Sequence, residues 1–308
     1  PILHIAFLGG EPLLNFPLLK KVVEYCKQIS ADTGKKFSYT ITTNGTLITD
    51  NIEKYLTENK IVCQISLDGT KEKNDMNRFF RNKKGSYDVI VEKTKSMRHM
   101  NLVTARATVT PDNSDYKEIF NHLNELEFRA IPIAIAQNMV DDEQFDKILS
   151  EYINYIFYFE ELILTKQYAK AKKMTDLVNA LEKIEFGNVR NNGCGAGRTM
   201  FAVDIDGTLY PCHRFVGERK FALGNIWTGS DNSKFLKMIN VRNRDKCSKC
   251  WAQNLCLGCC PHENYTNTNN INLASERSCR MAKTIYEKLI SVYIKMSDED
   301  KKMMWPED

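Results

Sequence analysis

Apolar and polar positions along the first 137 residues change period again and again, from strand-like runs to helical stripes. Residues 1–9, PILHIAFLG, form a continuous apolar run of strand length. In PLLKKVVEYCKQI, Leu19, Val22, Val23 and Cys26 recur on one helical stripe, which makes Cys26 a small buried apolar residue. FSYTITTNGT reads as a strand closing on an Asn-Gly turn. TDNIEKYLTEN reads as a helix capped by Thr49 or Asp50. The pattern continues with IVCQISLDG as a strand with Cys63 in the core, SYDVIVEKTKSMRHM as a helix, VTARATVT as a strand, SDYKEIFNHLNEL as a helix and AIPIAIAQ as a strand.

This alternation predicts an α/β fold with a parallel sheet and crossover helices. Ligands in such sheets bind at the carboxyl ends of the strands. The polar loops GGEP, TTNGT and SLDG fall at those ends. Residues 141–187 read as helical, and the aromatic stripe holding Tyr152, Tyr155, Phe157, Tyr158 and Phe159 reads as core or interface. FGNVRNNG is a turn-rich linker. Beyond it, MFAVDI alternates and Asp206-Gly207 predicts a β-hairpin, with Cys194 before it and Cys212 on its return strand. The tail CRMAKTIYEKLISVYIKM is an amphipathic helix.

Composition narrows the function class. A chain of 308 residues, 43% hydrophobic, is long enough to bury one or two cores. Its net charge of +4 is mild and no Lys/Arg block stands out, so nucleic acid is not an expected partner. No run of eighteen apolar residues or secretion leader appears, so no membrane role is expected and the cytoplasm is the expected compartment. The sequence begins at Pro1, directly in an apolar strand, and is expected to be a piece of a longer protein.

The ten cysteines carry the chemistry. In a reducing compartment clustered thiols bind metal or do redox work. Eight of the ten lie between positions 194 and 279, in the order Cys194, Cys212, Cys247-x2-Cys250-x5-Cys256-x3-Cys260 and Cys279, with Cys259 beside Cys260. Four thiolates fill one tetrahedral site, so seven or eight suggest two sites. Zinc and iron–sulfur clusters both use such spacings, and the spacing alone does not choose between them.

FLGGEPLLNF on a strand-to-helix junction resembles the motif of radical S-adenosylmethionine (SAM) enzymes. Cys194-x12-Gly207-x4-Cys212, the four-cysteine run and Cys279 together resemble the SPASM extension that a subset of those enzymes carries. Seven positions in the expected order behind a GGEP make a specific match. The resemblance implies a partial (β/α)6 TIM-type radical SAM barrel lacking its first strand, plus a small cysteine-rich α+β SPASM domain with a β-hairpin. Its implied boundaries are 1–140 for the barrel, 141–190 for a helical linker and 191–308 for the SPASM domain with its C-terminal helix.

By the same resemblance, Gly9 and Gly10 leave room for the methionyl end of SAM, Glu11 accepts from its ammonium group and Pro12 fixes the turn. Ser66 touches the ribose and Arg106 the carboxylate. Cys247, Cys250, Cys256 and Cys279 hold one auxiliary [4Fe–4S] cluster; Cys194, Cys212 and Cys260 hold another. The fourth position of that second set is left to a substrate thiolate or to Cys259, although adjacent Cys259 and Cys260 would struggle to reach one cluster. A third, SAM-binding cluster is expected from a CxxxCxxC segment upstream of this sequence, without which the fragment is expected to be inactive. His213 follows Cys212 where sulfatase-maturing relatives carry Asp, and is a candidate base. YPCHRFVGERKFALGNI resembles enzymes that form thioether crosslinks in cysteine-rich ribosomal peptides. The implied function is post-translational thioether crosslinking of a ribosomal precursor peptide, with a ferredoxin or flavodoxin as reductant. The alternatives are sulfatase-maturing oxidation of a protein Cys or Ser, and a non-catalytic peptide-binding module that carries either zinc on four cysteines or the clusters alone.

Overall fold

Five strands pair in parallel in strict sequence order: β1 (Ile2–Phe7), β2 (Lys36–Thr43), β3 (Ile61–Ser66), β4 (Val103–Val109) and β5 (Ile133–Ile135). The structure, a computed structural model, describes residues 2–136, 139–187 and 192–306. Gln137, the end of the fifth predicted strand, and residues 188–191 of the predicted linker lie outside the described residues. The crossovers are α1 (Phe16–Thr33), α2 (Asp50–Glu58), α3 (Lys71–Asn77), α4 (Tyr87–Lys93), α5 (Lys95–His99) and α6 (Tyr116–Glu125). Together they form a parallel partial barrel.

Period-two alternation gives this sheet two unlike faces. Tyr39 and Ile41, then Ile61, Cys63 and Ile65, then Val103, Ala105, Ala107 and Val109 are buried. Each such side chain contributes about 1.5–3 kcal/mol when it is as large as Ile or Val. Thr40, Thr42, Gln64, Ser66, Thr104, Arg106 and Thr108 point the other way and are half-buried. Cys26 and Cys63 are core residues, and burial pushes the Cys63 thiol up to about 12. Thr49 is the residue that caps α2, its Oγ1 accepting from Ile52 N.

One predicted helix is two. Residues 86–100 break at buried Thr94, whose hydroxyl donates to Ile90 O at 2.8 Å and accepts from Arg98 Nη1 at 2.7 Å. A hydroxyl bonded back into its own helix competes with the regular ladder. After β5 come α7 (Asp142–Leu164), α8 (Tyr168–Ala171) and α9 (Thr175–Glu185). The aromatic stripe of α7 is core against α6. Tyr152 and Tyr155 stand 4.9 and 5.6 Å from the Tyr116 ring, while Phe157 is exposed.

The chain divides into two units, Pro1–Val178 with Ser297–Asp308, and Asn179–Met296. In the structure residues 141–178 pack into the first unit, because the aromatic face of α7 needs α6 to cover it. The helix Asp298–Met304 returns to the first unit as well.

The second unit holds a four-stranded antiparallel sheet of β6 (Ala202–Val203), β7 (Thr208–Tyr210), β8 (Gly224–Asn225) and β9 (Gly229–Ser230). The hairpin turns through Gly207 at φ +80°, and a Cβ there would come within 2.9 Å of Ile226. Cys212 lies past the return strand, not on it. The strand ends at Tyr210 and Pro211 has no N–H to continue the ladder. A small core forms around Phe215, whose ring is 4.8 Å from Phe221 and 5.6 Å from Phe235. The remaining helices are α10 (Ser233–Ile239), α11 (Asp245–Ser248), α12 (Gln253–Cys256), α13 (Pro261–Thr268) and α14 (Glu276–Lys295). Among the described residues no helix is long and apolar enough to cross a membrane.

Asp300 anchors the returning segment. Its carboxylate accepts from Lys166 Nζ and Tyr168 Oη at 2.7 Å each and from Ser297 N and Oγ. Burial alone would raise this carboxyl; the bonds from Lys166, Ser297 and Tyr168 overcome that and hold it well below the usual range. A depressed carboxyl contributes stability above its unfolded value, near pH 4, and that stability is lost as pH falls through the folded value. Asp300→Asn is therefore expected to be less stable than wild type at neutral pH in urea unfolding. The gap should narrow as pH falls below about 4.

Candidate functional site

The GGEP loop leaves β1 and is closed by a carboxylate. Glu11 caps the short 3-10 helix Pro12–Asn15, with Pro12 at its first position. Its Oε1 accepts from Leu13 N at 3.0 Å and from Thr43 Oγ1 at 2.7 Å, and its Oε2 from Asn44 N at 2.8 Å. The loops after β1 and β2 are thereby tied together. A carboxylate has about four acceptor positions, so one remains for a ligand donor. A Cβ added at Gly9 or Gly10 would meet nothing within 4 Å, so both backbones face open space that a ligand can approach closely.

Ser66 ends β3 and pairs in register with Arg106 on β4. Both lie on the polar face of the sheet. Asp176 of α9 accepts from Ile133 N at 2.6 Å; burial raises its carboxyl, and that N–H together with the Arg106 charge offsets part of the rise. The loop after β3 is locked by buried Asp68, which takes a bidentate contact from Arg78 and accepts from Thr108 N at 2.8 Å.

Further polar residues share this face and escaped the sequence reading. The His4 ring nitrogens lie 2.9 Å from Ser38 Oγ and 3.0 Å from Thr40 Oγ1, and Thr42 Oγ1 donates to Gln64 Oε1. The signal was present in FSYTITT and VTARATV. A parallel strand covered on both faces reads as continuously apolar, and these two alternate.

In the second unit Cys247, Cys250, Cys256, Cys259 and Cys279 line one cavity of about 470 Å³. Cys247 and Cys250 flank the end of α11, Cys256 ends α12 and Cys279 lies in the first turn of α14. Among the described residues no three Cys, His, Asp or Glu side chains converge tightly enough to share one ion. Thiols spread around a cavity fit a cluster, which offers several irons to its ligands.

A buried cation fits the same reading. Arg244 is 5% exposed, and its Nη1 and Nη2 donate to Gly258 O and Ile239 O. Its Nε has no hydrogen-bond partner. Burial lowers its basicity, and the anionic groups that raise it are the thiolates of Cys247, Cys259 and Cys256. A buried guanidinium needs negative charge beside it, and a thiolate-ligated cluster supplies that. Within the pair Cys256 and Cys259, a hydrogen bond from the Cys259 thiol pulls Cys256 down, and the same bond pushes Cys259 up.

Cys260 faces elsewhere. Arg214 Nη1 donates to Cys260 Sγ at 3.8 Å and to Glu263 Oε1 at 2.7 Å. The Arg214 charge also acts on Cys212, and the Cys212 thiol feels that of Cys194. Gly197 N donates to Pro211 O, which holds the loop after Cys194 beside Cys212. The structure thus places Cys212 and Cys260 at one arginine, with Cys194 beside Cys212, and puts Cys259 in the cavity with Cys247, Cys250, Cys256 and Cys279. His213 is exposed at the start of the 3-10 helix His213–Phe215.

Residues 1–126 match the radical SAM superfamily, and residues 194–251 match SPASM, an iron-sulfur cluster-binding domain. The chain is 27% identical over 310 residues to a cysteine-type anaerobic sulfatase-maturating enzyme of Clostridium novyi, covering 93% of this chain and 80% of that protein. It is 23% identical over 295 residues to the radical SAM cyclopropyl synthase TigE of Paramaledivibacter caminithermalis, covering 94% of this chain and 60% of the relative. Its fold is similar to native anSMEcpe with bound AdoMet and Cp18Cys peptide, with a TM-score of 0.79 at 22% identity over 96% of this chain and 87% of that one. The chain therefore carries a radical SAM domain and a SPASM domain. It is an enzyme of radical chemistry, and its cofactors are S-adenosylmethionine and [4Fe–4S] clusters.

Glu11→Ala should free the amides of Leu13 and Asn44. Hydrogen exchange at those two positions is expected to speed up about tenfold or more, from the loss of a charge-assisted bond at each. Glu11→Gln, which retains one acceptor oxygen, should show a smaller change.

Proposed function

We propose that the chain is a radical SAM maturase that acts on a cysteine-bearing peptide and joins the cysteine sulfur to a peptide carbon. What supports this reading is the placement of Cys212 and Cys260 at Arg214, with the loop after Cys194 held beside Cys212. Three thiols holding a [4Fe–4S] cluster leave one coordination position for the substrate sulfur. Arg214, with Glu263 against it, orients Cys260 and stabilises its thiolate. Cys247, Cys250, Cys256 and Cys279 hold the other auxiliary cluster, over buried Arg244.

The polar face of the sheet is the proposed SAM site. Gly9 and Gly10 admit the methionyl end, and the remaining acceptor position of Glu11 faces its ammonium group. Ser66 takes the ribose hydroxyls and Arg106 the carboxylate. When bound, SAM and the clusters supply one-electron chemistry: removal of a hydrogen atom from a peptide carbon, and a path for the electron that is released. Forming the thioether removes the C–H hydrogen and the S–H proton, and one electron passes to the protein. His213, exposed beside Cys212, is the residue proposed to take that proton. A ferredoxin or flavodoxin class protein supplies the reducing electron.

A second reading, oxidation of a peptide cysteine with loss of its sulfur, is favoured by the likeness to the sulfatase-maturating relative over 93% of the chain. Product mass separates the two. The thioether reading expects two hydrogens lost with sulfur retained; loss of the sulfur would replace it with the oxidation reading.

The ligand sets are tested on anaerobically reconstituted protein. Cys212→Ala and Cys250→Ala are each expected to lose about four iron and four sulfide relative to wild type. A synthetic peptide with one cysteine should perturb the electron paramagnetic resonance signal that Cys212→Ala removes, and its serine analogue should not. Equal effects of the two peptides would sink the substrate-thiolate assignment.

A further inference from the structure

A cube-shaped cluster takes four thiolates, yet five cysteines line the cavity between α11, α12 and α14. The extra thiol belongs to Cys259. Its Sγ lies 3.5 Å from that of Cys256. Two thiolates on one tetrahedral metal, at a metal–sulfur distance of ~2.3 Å, stand about 3.8 Å apart. Thiolates on different corners of a cluster stand well beyond that. The Cys256 and Cys259 sulfurs are thus spaced for one iron, not for two.

The backbone is bent to achieve this. Leu257, Gly258 and Cys259 have φ of +55°, +84° and +62°. Side chains other than Gly rarely adopt that region, and Asn or Gly would hold the turn at lower cost than Cys. The bend carries Cys259 back over the cavity and sends Cys260 toward Arg214. Arg244 fixes the turn, since its Nη1 holds Gly258 O and would meet any Cβ at position 258 at 2.5 Å. Ser278 O also lies within reach of the Cys259 thiol, at 3.7 Å.

We infer that Cys256 and Cys259 are interchangeable ligands of one iron, so that the cluster is completed by Cys247, Cys250, Cys279 and either thiol of the pair. The inference rests on the reading of this cavity as a cluster site. It makes Cys259 a ligand of this cluster and removes it as the fourth ligand of the Cys194, Cys212 and Cys260 set.

The test compares wild type with Cys256→Ala, Cys259→Ala and the double variant, each reconstituted without oxygen and assayed for iron, acid-labile sulfide and the reduced-state paramagnetic spectrum. Both single variants are expected to keep the wild-type iron and sulfide. Their spectra should differ from each other, because a different thiolate completes each cluster. The double variant should lose about four iron and keep the cluster on Cys194, Cys212 and Cys260, whose retention shows that the unit has folded. Loss of about four iron from either single variant would overturn the exchange and leave a fixed ligand set. A wild-type protein that loses no iron on Cys250→Ala would instead remove the cluster reading of the cavity itself.

Discussion

Carboxylates that accept backbone N–H groups hold the working end of the first unit in place. Glu11 binds Asn44 N and so joins the loops after β1 and β2. Asp68 binds Thr108 N and joins the loop after β3 to β4. Asp176 binds Ile133 N and fixes β5 to α9. Charge-assisted bonds of this kind are short and directional. They fix the ends of five parallel strands without covering the polar face that those strands present. Were the loops free to collapse, the row of Thr, Gln, Ser and Arg side chains would have to be buried unsatisfied or shielded by something else.

The second unit solves a related problem with the opposite charge. Its small aromatic core around Phe215 lies at its hairpin end. Arg244 reaches under the Leu257–Cys259 turn and holds it by the Gly258 carbonyl. Arg214 plays a comparable part at Cys260. Arg244 acts on Cys247, Cys256 and Cys259, and Arg214 on Cys212 and Cys260.

Much of this was legible in the sequence. The five strands, their parallel order, the GGEP loop and the hairpin at Asp206-Gly207 all follow from local patterns or from the resemblance. What was not legible depends on contacts distant in sequence. The break at Thr94 arises from a hydroxyl that also serves Arg98. Cys212 leaves its strand because Pro211 cannot extend the ladder. The direction of Cys259 depends on three successive left-handed residues, of which only Gly258 gives a hint in the sequence. Arg244 looks like any surface arginine until the carbonyls that it fills are known.

The anchoring of Asp300 has a consequence for how the chain is organised as a polymer. Because Ser297–Asp308 belongs with the first unit, the cysteine-rich unit is an insertion bounded by two covalent crossings, at 178/179 and 296/297. Its ends are thus tethered to a folded host, which shortens the list of conformations open to it before any metal arrives. A cut at either crossing alone leaves the inserted unit attached by one covalent link, and a cut at 296/297 also leaves the segment that answers Lys166 and Tyr168 held by non-covalent contacts alone.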